Sequence, residues 1–342
     1  MTASSPLVTV ILPIRNEARY IARCLESVVN QDYPRERVEI LVVDGMSEDG
    51  TRDILAQFAD RDLRVRLIDN PQRIVPTALN RGIRAARGEI VIRVDGHAVI
   101  APDYVRRCVE ALGATKADNV GGPMNAVGKT VVAQAIALAS SSRFGVGSAL
   151  FHYTDKPGWV DTVYMGAYRR QVFDRIGLFD EELVRNQDDE FNYRLIRAGG
   201  KIWLDPAIRS DYFSRASLRA LWKQYFEYGF WKVRVIQKHG RPASWRHLVP
   251  AAFVLALAAS AALGIVSGLP ILFLVVVASY AAASLAASLW LAVRRGLRCL
   301  PLLPFAFATM HLAYGVGFIG GLVYFGLFRT FRNAVANGVW TS

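Results

Sequence analysis

Glu89 to Ile100 reads EIVIRVDGHAVI. The stretch is mostly apolar as far as Val94, and then come an acid, a glycine and an imidazole. A buried strand has no structural need for Asp95 and His97 at its end, so the end of this one is its informative part. Working outward, similar apolar runs occur at LVTVIL (7–12), VEILVV (38–43) and RVRLI (64–68). Helical patterns lie between them. Ile21, Leu25, Val28 and Val29 recur at i, i+4, i+7 and i+8, and a second pattern near Pro76 to Ala86 precedes the quoted strand. This alternation predicts an α/β fold, a mostly parallel sheet with helices on both faces.

In such sheets ligands bind outside the carboxyl ends of the strands. That rule selects Pro13, Arg15, Asn16 and Glu17 after the first strand, Asp44, Gly45 and Ser47 after the second, and Asp95 and His97 after the fourth. Three strand ends, each with an acid, point into one crevice. A carboxylate there can accept from the N–H of a base or from ribose hydroxyls. A carboxylate with an imidazole can hold a divalent metal against a diphosphate, neutralising charge that the acids alone would repel. Single Asp residues also serve as helix caps and turn formers; three strand ends together favour a nucleotide site.

The chain has 342 residues, 52% of them hydrophobic, and a formal charge of +12. Those properties belong to different regions. The last acidic residue is Glu227, and Leu248 to Val293 carries no charge. That run is about 46 residues, enough for two helices of roughly 20 residues each across a bilayer. Ser267 to Pro270, SGLP, is the break between them, and Arg294, Arg295 and Arg298 follow the second. Leu300 to Phe328 is a further apolar run, with His311 its one titratable group if Tyr is set aside. It reads either as a third span or as a re-entrant hairpin bent around Gly315, Gly317, Gly320 and Gly321; His311 is expected to be a hydrogen-bonded structural residue. The basic residues lack the aromatic interleaving of a nucleic-acid module, so no nucleic-acid partner is expected. A basic collar beside apolar spans suits anionic lipid heads. Cys24, Cys108 and Cys299 form no metal or disulfide spacing. The start, MTASSPLVTVILP, reads as a first strand rather than a signal peptide.

Four stretches, VILPIRNEARYIARCLESVVNQDYP (10–34), ILVVDGMSEDGT (40–51), LNRGIRAARGEIVIRVDGHA (79–98) and GLFDEELVRNQDDEFNYRLIRAGG (177–200), occur in an order and spacing that resembles family 2 glycosyltransferases of the GT-A fold. Within that family the chain is similar to membrane-attached, succinoglycan-type glucosyltransferases of exopolysaccharide assembly. The resemblance implies a GT-A catalytic domain over residues 1–213, with a nucleotide half at about 1–98 and an acceptor half at about 99–213. It implies that Pro13, Asn16 and Glu17 line a uridine pocket, that Asp44 reads the uracil ring, and that Asn70, Asn80 and Gly82 lie near the nucleotide; with the strand-end residues Arg15, Gly45, Ser47 and Asp95 they make the expected nucleotide-sugar site. Asp95 and His97 fall on the family's Asp-x-Asp motif, which holds the diphosphate and its metal. His97 replaces the second acid; imidazole is a poorer ligand for Mg²⁺ than for Mn²⁺, so either metal is open.

RNQDDEFNYRL (185–195) aligns with the family's acidic pair, whose Asp is the general base of an inverting transfer. The resemblance puts that base at Asp188, or one residue on at Asp189; an acidic start to a helix would also complement its dipole. Residues 214–247 form an amphipathic, interfacial bridge, with Leu218, Leu221, Trp222, Tyr225 and Phe226 at 3–4 spacing. Arg215, Gln224, Tyr228 and Trp231 are candidate acceptor-side residues there, with simple anchoring as the other reading. The Gln-x-x-Arg-Trp of processive members is missing, which argues for one sugar per encounter. The spans are expected at about 248–267, 270–293 and 301–328, with a tail at 329–342. By the positive-inside rule the catalytic part and the Arg294 loop share the cytoplasmic side of the cell (inner or plasma) membrane. The whole implies transfer from a UDP-sugar, glucose by expectation, to a lipid-linked oligosaccharide among membrane lipids. The alternatives are a polyprenyl-phosphate acceptor, or an inactive sugar-nucleotide-binding subunit.

Overall fold

The computed structural model describes residues 5–242 and 244–328; the expected tail at 329–342 lies outside them. The strands are β1 (Val8–Ile14), β2 (Val38–Asp44), β3 (Val65–Asp69), β4 (Ile90–Arg93), β5 (Ala98–Ile100), β6 (Asn119–Gly122), β7 (Met124–Val127), β8 (Gly158–Trp159), β9 (Tyr164–Arg169), β10 (Ile202–Leu204) and β11 (Ser210–Phe213). The helices are α1 (Ile21–Val29), α2 (Thr51–Arg61), α3 (Val75–Ala85), α4 (Tyr104–Thr115), α5 (Val131–Ser140), α6 (Arg143–Val146), α7 (Gln171–Ile176), α8 (Gln187–Arg197), α9 (Leu218–His239), α10 (Val249–Ser267), α11 (Ile271–Arg295) and α12 (Leu303–Val323). The described residues fall into two compact units, one within residues 1–125 and 149–213, the other within 126–148 and 214–342.

The first unit is built on an eight-stranded sheet in the order β3-β2-β1-β4-β9-β6-β10-β8. β1, β2, β3, β4, β6 and β10 run the same way, while β9 and β8 run against them. The sheet is therefore mostly parallel, as the alternation predicts, with helices on both sides. The reversed β9 between β4 and β6 was not foreseen, because periodicity reveals a strand and not its direction. Strand alternation sorts the core: Val10 and Leu12 of β1 join α1 and α4 residues such as Leu25 and Leu112, while Ile11 joins Leu79, Ile83 and Phe191 on the opposite face. α3 comes close to β1 through Gly82, where a Cβ would stand 2.5 Å from Ile11 Cγ2. β5 pairs antiparallel with β11.

In the second unit α10, α11 and α12 belong to three segments long and apolar enough to cross a membrane, Trp245–Ser267, Ile271–Arg295 and Leu303–Gly326. The chain turns between the first two at Gly268, whose φ of +71° suits a residue without a Cβ. α12 runs unbroken through Gly315, Gly317, Gly320 and Gly321, so the alternative hairpin bend does not occur. The glycines serve close approach instead. A Cβ on Gly317 would stand 2.1 Å from Phe226 O, one on Gly321 2.6 Å from Phe230 O, and one on Gly229 of α9 2.0 Å from Tyr314 O. α9 therefore presses its backbone against α12, and its stripe supplies packing: Leu221 is buried with Phe307 and Met310. His311 is hydrogen-bonded at both ring nitrogens, to the Tyr280 hydroxyl and to Phe144 O, each at 2.9 Å, the structural role expected of it.

Candidate active site

The register of the sheet sets Ile14 beside Asp44 and Asp44 beside Asp69, so the ends of β1, β2 and β3 lie level. Beyond them the β1–α1 and β2–α2 loops interlock. The backbone N–H groups of Asn16, Glu17 and Ala18 donate to Ser47 Oγ (2.8 Å), Thr51 Oγ1 (2.9 Å) and Asp49 Oδ2 (3.1 Å). Glu48 N–H donates back to Asn16 Oδ1 at 2.9 Å, and Gly45 N–H to Ile14 O at 2.7 Å. Asn16 and Met46 take left-handed backbone angles, φ +54° and +57°, to make these bonds. Asp44 is buried, its Oδ1 accepting from Ser47 Oγ at 2.6 Å and its Oδ2 from Ser47 N–H at 3.0 Å and Arg52 Nη1 at 2.7 Å. Arg52 Nη2 also reaches Asp69 at 2.8 Å. Each Asp44 oxygen thus already has an internal donor, leaving only part of its accepting capacity for a ligand.

At the end of β4, Arg93 and Asp95 share one face by strand alternation. Gly96 lets the loop close on β1, since a Cβ there would meet Ile14 Cδ1 at 2.5 Å. His97 Nδ1 lies 2.9 Å from Glu17 Oε1, joining the first and fourth strand ends. Arg93 Nε donates to Asp95 Oδ1 at 2.8 Å, and its Nη1 lies 3.7 Å from Asp188 Oδ2. Burial alone would raise the Asp95 carboxyl, but the adjacent Arg93 guanidinium overcomes it and holds Asp95 below its ordinary value.

Asp188 stands in the first turn of α8, after Asn186 enters the helix at φ +61°. Its Oδ1 accepts from Asp189 N–H at 2.9 Å. Glu190, the third acid of that turn, is buried against Arg194 at 2.7 Å and so is committed to its own helix. Partial desolvation raises the Asp188 carboxyl above its ordinary value although its side chain keeps 46% exposure; Arg93 opposes this and Asp189 adds to it.

The structure brings Glu17, Asp95, His97 and Asp188 into one linked group, with Arg15, Asn16, Asp44, Gly45 and Ser47 in the adjoining loops. It does not bring Asn80 or Gly82 there. Asn80 is buried, donating to Phe179 O and Glu181 at 2.8 Å and accepting from Phe179 N–H at 2.9 Å, so both ends of its amide are used; Gly82 is a packing contact. Asn70 is likewise engaged inside, with Ile74 O and Thr77 at 3.0 Å. In the second unit, Arg215 Nε donates to Gln224 at 3.3 Å, Gln224 donates to Tyr228 at 2.8 Å, and Trp231 packs edge-on against Phe230 and at a tilt to Phe325. Sequence reasoning missed Arg52 and Arg93. Arg52 gave no signal, but Arg93 did, as the one charge inside an otherwise apolar strand and on the same face as Asp95.

Among the described residues no three His, Cys, Asp or Glu side chains could hold a metal by themselves. The donor set nevertheless suits one. Glu17 engages His97 Nδ1, and a carboxylate on one ring nitrogen of an imidazole is the usual way to orient the other nitrogen toward a metal.

Comparison with known proteins decides what this arrangement belongs to. Residues 9–177 match the family described as Glycosyl transferase family 2. The chain is 35% identical over 321 residues, 93% of its length, to the succinoglycan biosynthesis protein ExoA of Rhizobium meliloti (strain 1021), and covers 95% of that protein. The chain belongs to glycosyl transferase family 2. A second relative of this glycosyltransferase is the dolichyl N-acetyl-alpha-D-glucosaminyl phosphate 3-beta-D-2,3-diacetamido-2,3-dideoxy-beta-D-glucuronosyltransferase of Methanococcus voltae. It is 32% identical over 239 residues, 68% of this chain and 74% of that one. In fold, the glycosyltransferase resembles the mannosyltransferase PcManGT from Pyrobaculum calidifontis, solved with GDP-Man and Mn2+. The TM-score is 0.60 at 23% identity, covering 94% of this chain and 88% of that one. The GT-A fold and the membership expected from the four motifs are both borne out.

Proposed function

We propose that this family 2 glycosyltransferase moves a sugar, glucose by preference, from a UDP-sugar to a lipid-linked oligosaccharide, inverting the anomeric centre. The observation that carries the reading is Asp188, held in the first turn of α8 3.7 Å from the same arginine that binds Asp95. The acceptor hydroxyl oxygen attacks the anomeric carbon, the bond to UDP breaks on the opposite face, and Asp188 takes the hydroxyl proton. A placed carboxylate contributes about 10²–10⁴-fold in such a step. Asp95 and the Nε2 of His97 would hold a divalent metal, Mn²⁺ or Mg²⁺, whose charge would stabilise the departing diphosphate. Arg15, Asn16, Glu17, Asp44, Gly45 and Ser47 would line the uridine pocket.

Two facts support a lipid-linked acceptor. Among the described residues, three segments are able to cross a membrane by length and composition. One relative is named for succinoglycan biosynthesis, and the other for an acceptor sugar on dolichyl phosphate. Arg294, Arg295 and Arg298 between the second and third segments favour a cytoplasmic loop, which would put the catalytic unit on the cytoplasmic side of a multi-pass protein in the cell membrane. Arg215, Gln224, Tyr228 and Trp231 would face the acceptor's lipid side.

The test is a donor screen on the full chain in native lipid extract, with UDP-glucose, UDP-galactose and UDP-N-acetylglucosamine each labelled in the sugar. Label in a diphosphate-linked lipid saccharide, released with UDP, is the expected result. Label on polyprenyl phosphate alone would replace the acceptor, and no UDP release from any donor would overturn the reading.

A further inference from the structure

Arg93 is a charged residue in a strand whose other members are core. Val91, on its own face two residues earlier, is buried with Ile11 and Phe191, and Ile92 is buried on the opposite face. The Arg93 side chain is only 14% exposed. A guanidinium is costly to bury unless carboxylates surround it, and the residue needs a reason to be there. Its two contacts supply one. Nε donates to Asp95 Oδ1 at 2.8 Å, and Nη1 lies 3.7 Å from Asp188 Oδ2. Asp95 ends the nucleotide half and Asp188 opens a helix of the acceptor half, so one rigid cation faces a carboxylate from each.

We propose that Arg93 is the positioning residue of the transfer step, bridging Asp95 and Asp188 so that the donor diphosphate and the acceptor hydroxyl meet at a fixed separation. This deepens the reading above and rests on it. Two carboxylates brought this close repel, and the planar guanidinium offers separate N–H groups to each, which a single ammonium cannot do with the same geometry. Arg93 itself does not touch the reacting atoms; it sets where two groups that do are held. An error of about 1 Å in such placement costs on the order of a hundredfold in rate.

The experiment compares Arg93→Gln, Arg93→Lys, Asp188→Asn and the double variant Arg93→Gln/Asp188→Asn, all in the full chain. The donor is the UDP-sugar that the wild type turns over in the screen above. UDP binding with Mn²⁺, followed by calorimetry, gives a readout independent of turnover. Arg93→Gln is expected to lower kcat about a hundredfold, with KM for the donor and UDP affinity within about threefold of wild type. Arg93→Lys keeps the charge, guards against a failure to fold, and is expected to lose about tenfold in kcat, one charged contact of the two. The double variant should be little slower than Asp188→Asn alone, because Arg93 acts through that carboxylate. Full activity of either single Arg93 variant would overturn the bridge, as would a loss confined to KM and UDP affinity. An active Asp188→Asn would instead sink the base assignment, so the two failures are distinguishable.

Discussion

Glu17 and His97 come from different strand ends and meet at 2.9 Å, carboxylate Oε1 to ring Nδ1. An accepting carboxylate puts the ring proton on Nδ1, which leaves the lone pair on Nε2. On the proposed scheme, that nitrogen is the one His97 would offer a metal. We expect His97→Asp to restore two hard oxygen donors and shift activity toward Mg²⁺ relative to Mn²⁺. Glu17→Gln should weaken Mn²⁺ activation by about 10–100-fold, since it removes the charge that orients the ring. Titrating transfer against each metal checks both, and full wild-type activity in excess chelator would remove the metal from the scheme.

Asp188→Asn keeps the size of the side chain and removes its capacity to take a proton. Transfer should fall at least about a hundredfold, with UDP binding unchanged. Desolvation raises this carboxyl and Arg93 opposes the rise. The proposed base must be charged to act, so the rate should climb with pH through a value higher than that of an ordinary Asp, and fall as protons neutralise it below that value. Arg93→Gln should move the same limb to higher pH. If Asp189→Asn is the dead variant and Asp188→Asn is active, the base is one residue further on.

The fold was legible where periodicity and burial coincide. β1, β2 and α1 fall where their apolar runs predict, and the strand-end rule selects Glu17 and His97, which the fold brings within 2.9 Å of each other. What escaped depends on partners distant in sequence. Asn80 reads as a nucleotide neighbour by its motif, yet Phe179 and Glu181, about a hundred residues on, occupy its amide. The glycines of α12 read equally as a bend or as packing, because a missing Cβ permits both; only the position of α9 decides between them.

Gly317 provides a sharp test of that helix pair. A Cβ there would stand 2.1 Å from the backbone oxygen of Phe226, which cannot swing aside as a side chain can. Gly317→Ala should therefore destabilise the second unit by about 1–3 kcal/mol, the usual cost of overpacking. Gly113→Ala in α4 is the control: nothing lies within 4 Å of its added carbon, and the gain in helix propensity should stabilise by about 0.5–1 kcal/mol. Thermal unfolding in detergent separates the two. Equal, favourable shifts for both variants would mean that α9 and α12 are not in contact.

Orientation is open to labelling because the native thiols are silent. Cys24, Cys108 and Cys299 are all buried, so a polar maleimide should find little background. Leu269 in the α10–α11 turn and Leu297 after α11 are both well exposed, at 64% and 63%. Leu297 is preferable to Gly296, whose φ of +121° would strain any other residue. On the proposed topology, α10 alone lies between the catalytic unit and Leu269, and α10 with α11 lies between it and Leu297, making one crossing and two. Three arginines surround Leu297 and none lies near Leu269, so the positive-inside rule assigns Leu297 to the cytoplasm. Leu269→Cys should react in intact cells, and Leu297→Cys only after the membrane is opened. Labelling of Leu297→Cys from outside would invert the orientation and place the nucleotide-binding loops away from the cytoplasmic pool of UDP-sugars, leaving the proposed donor out of reach.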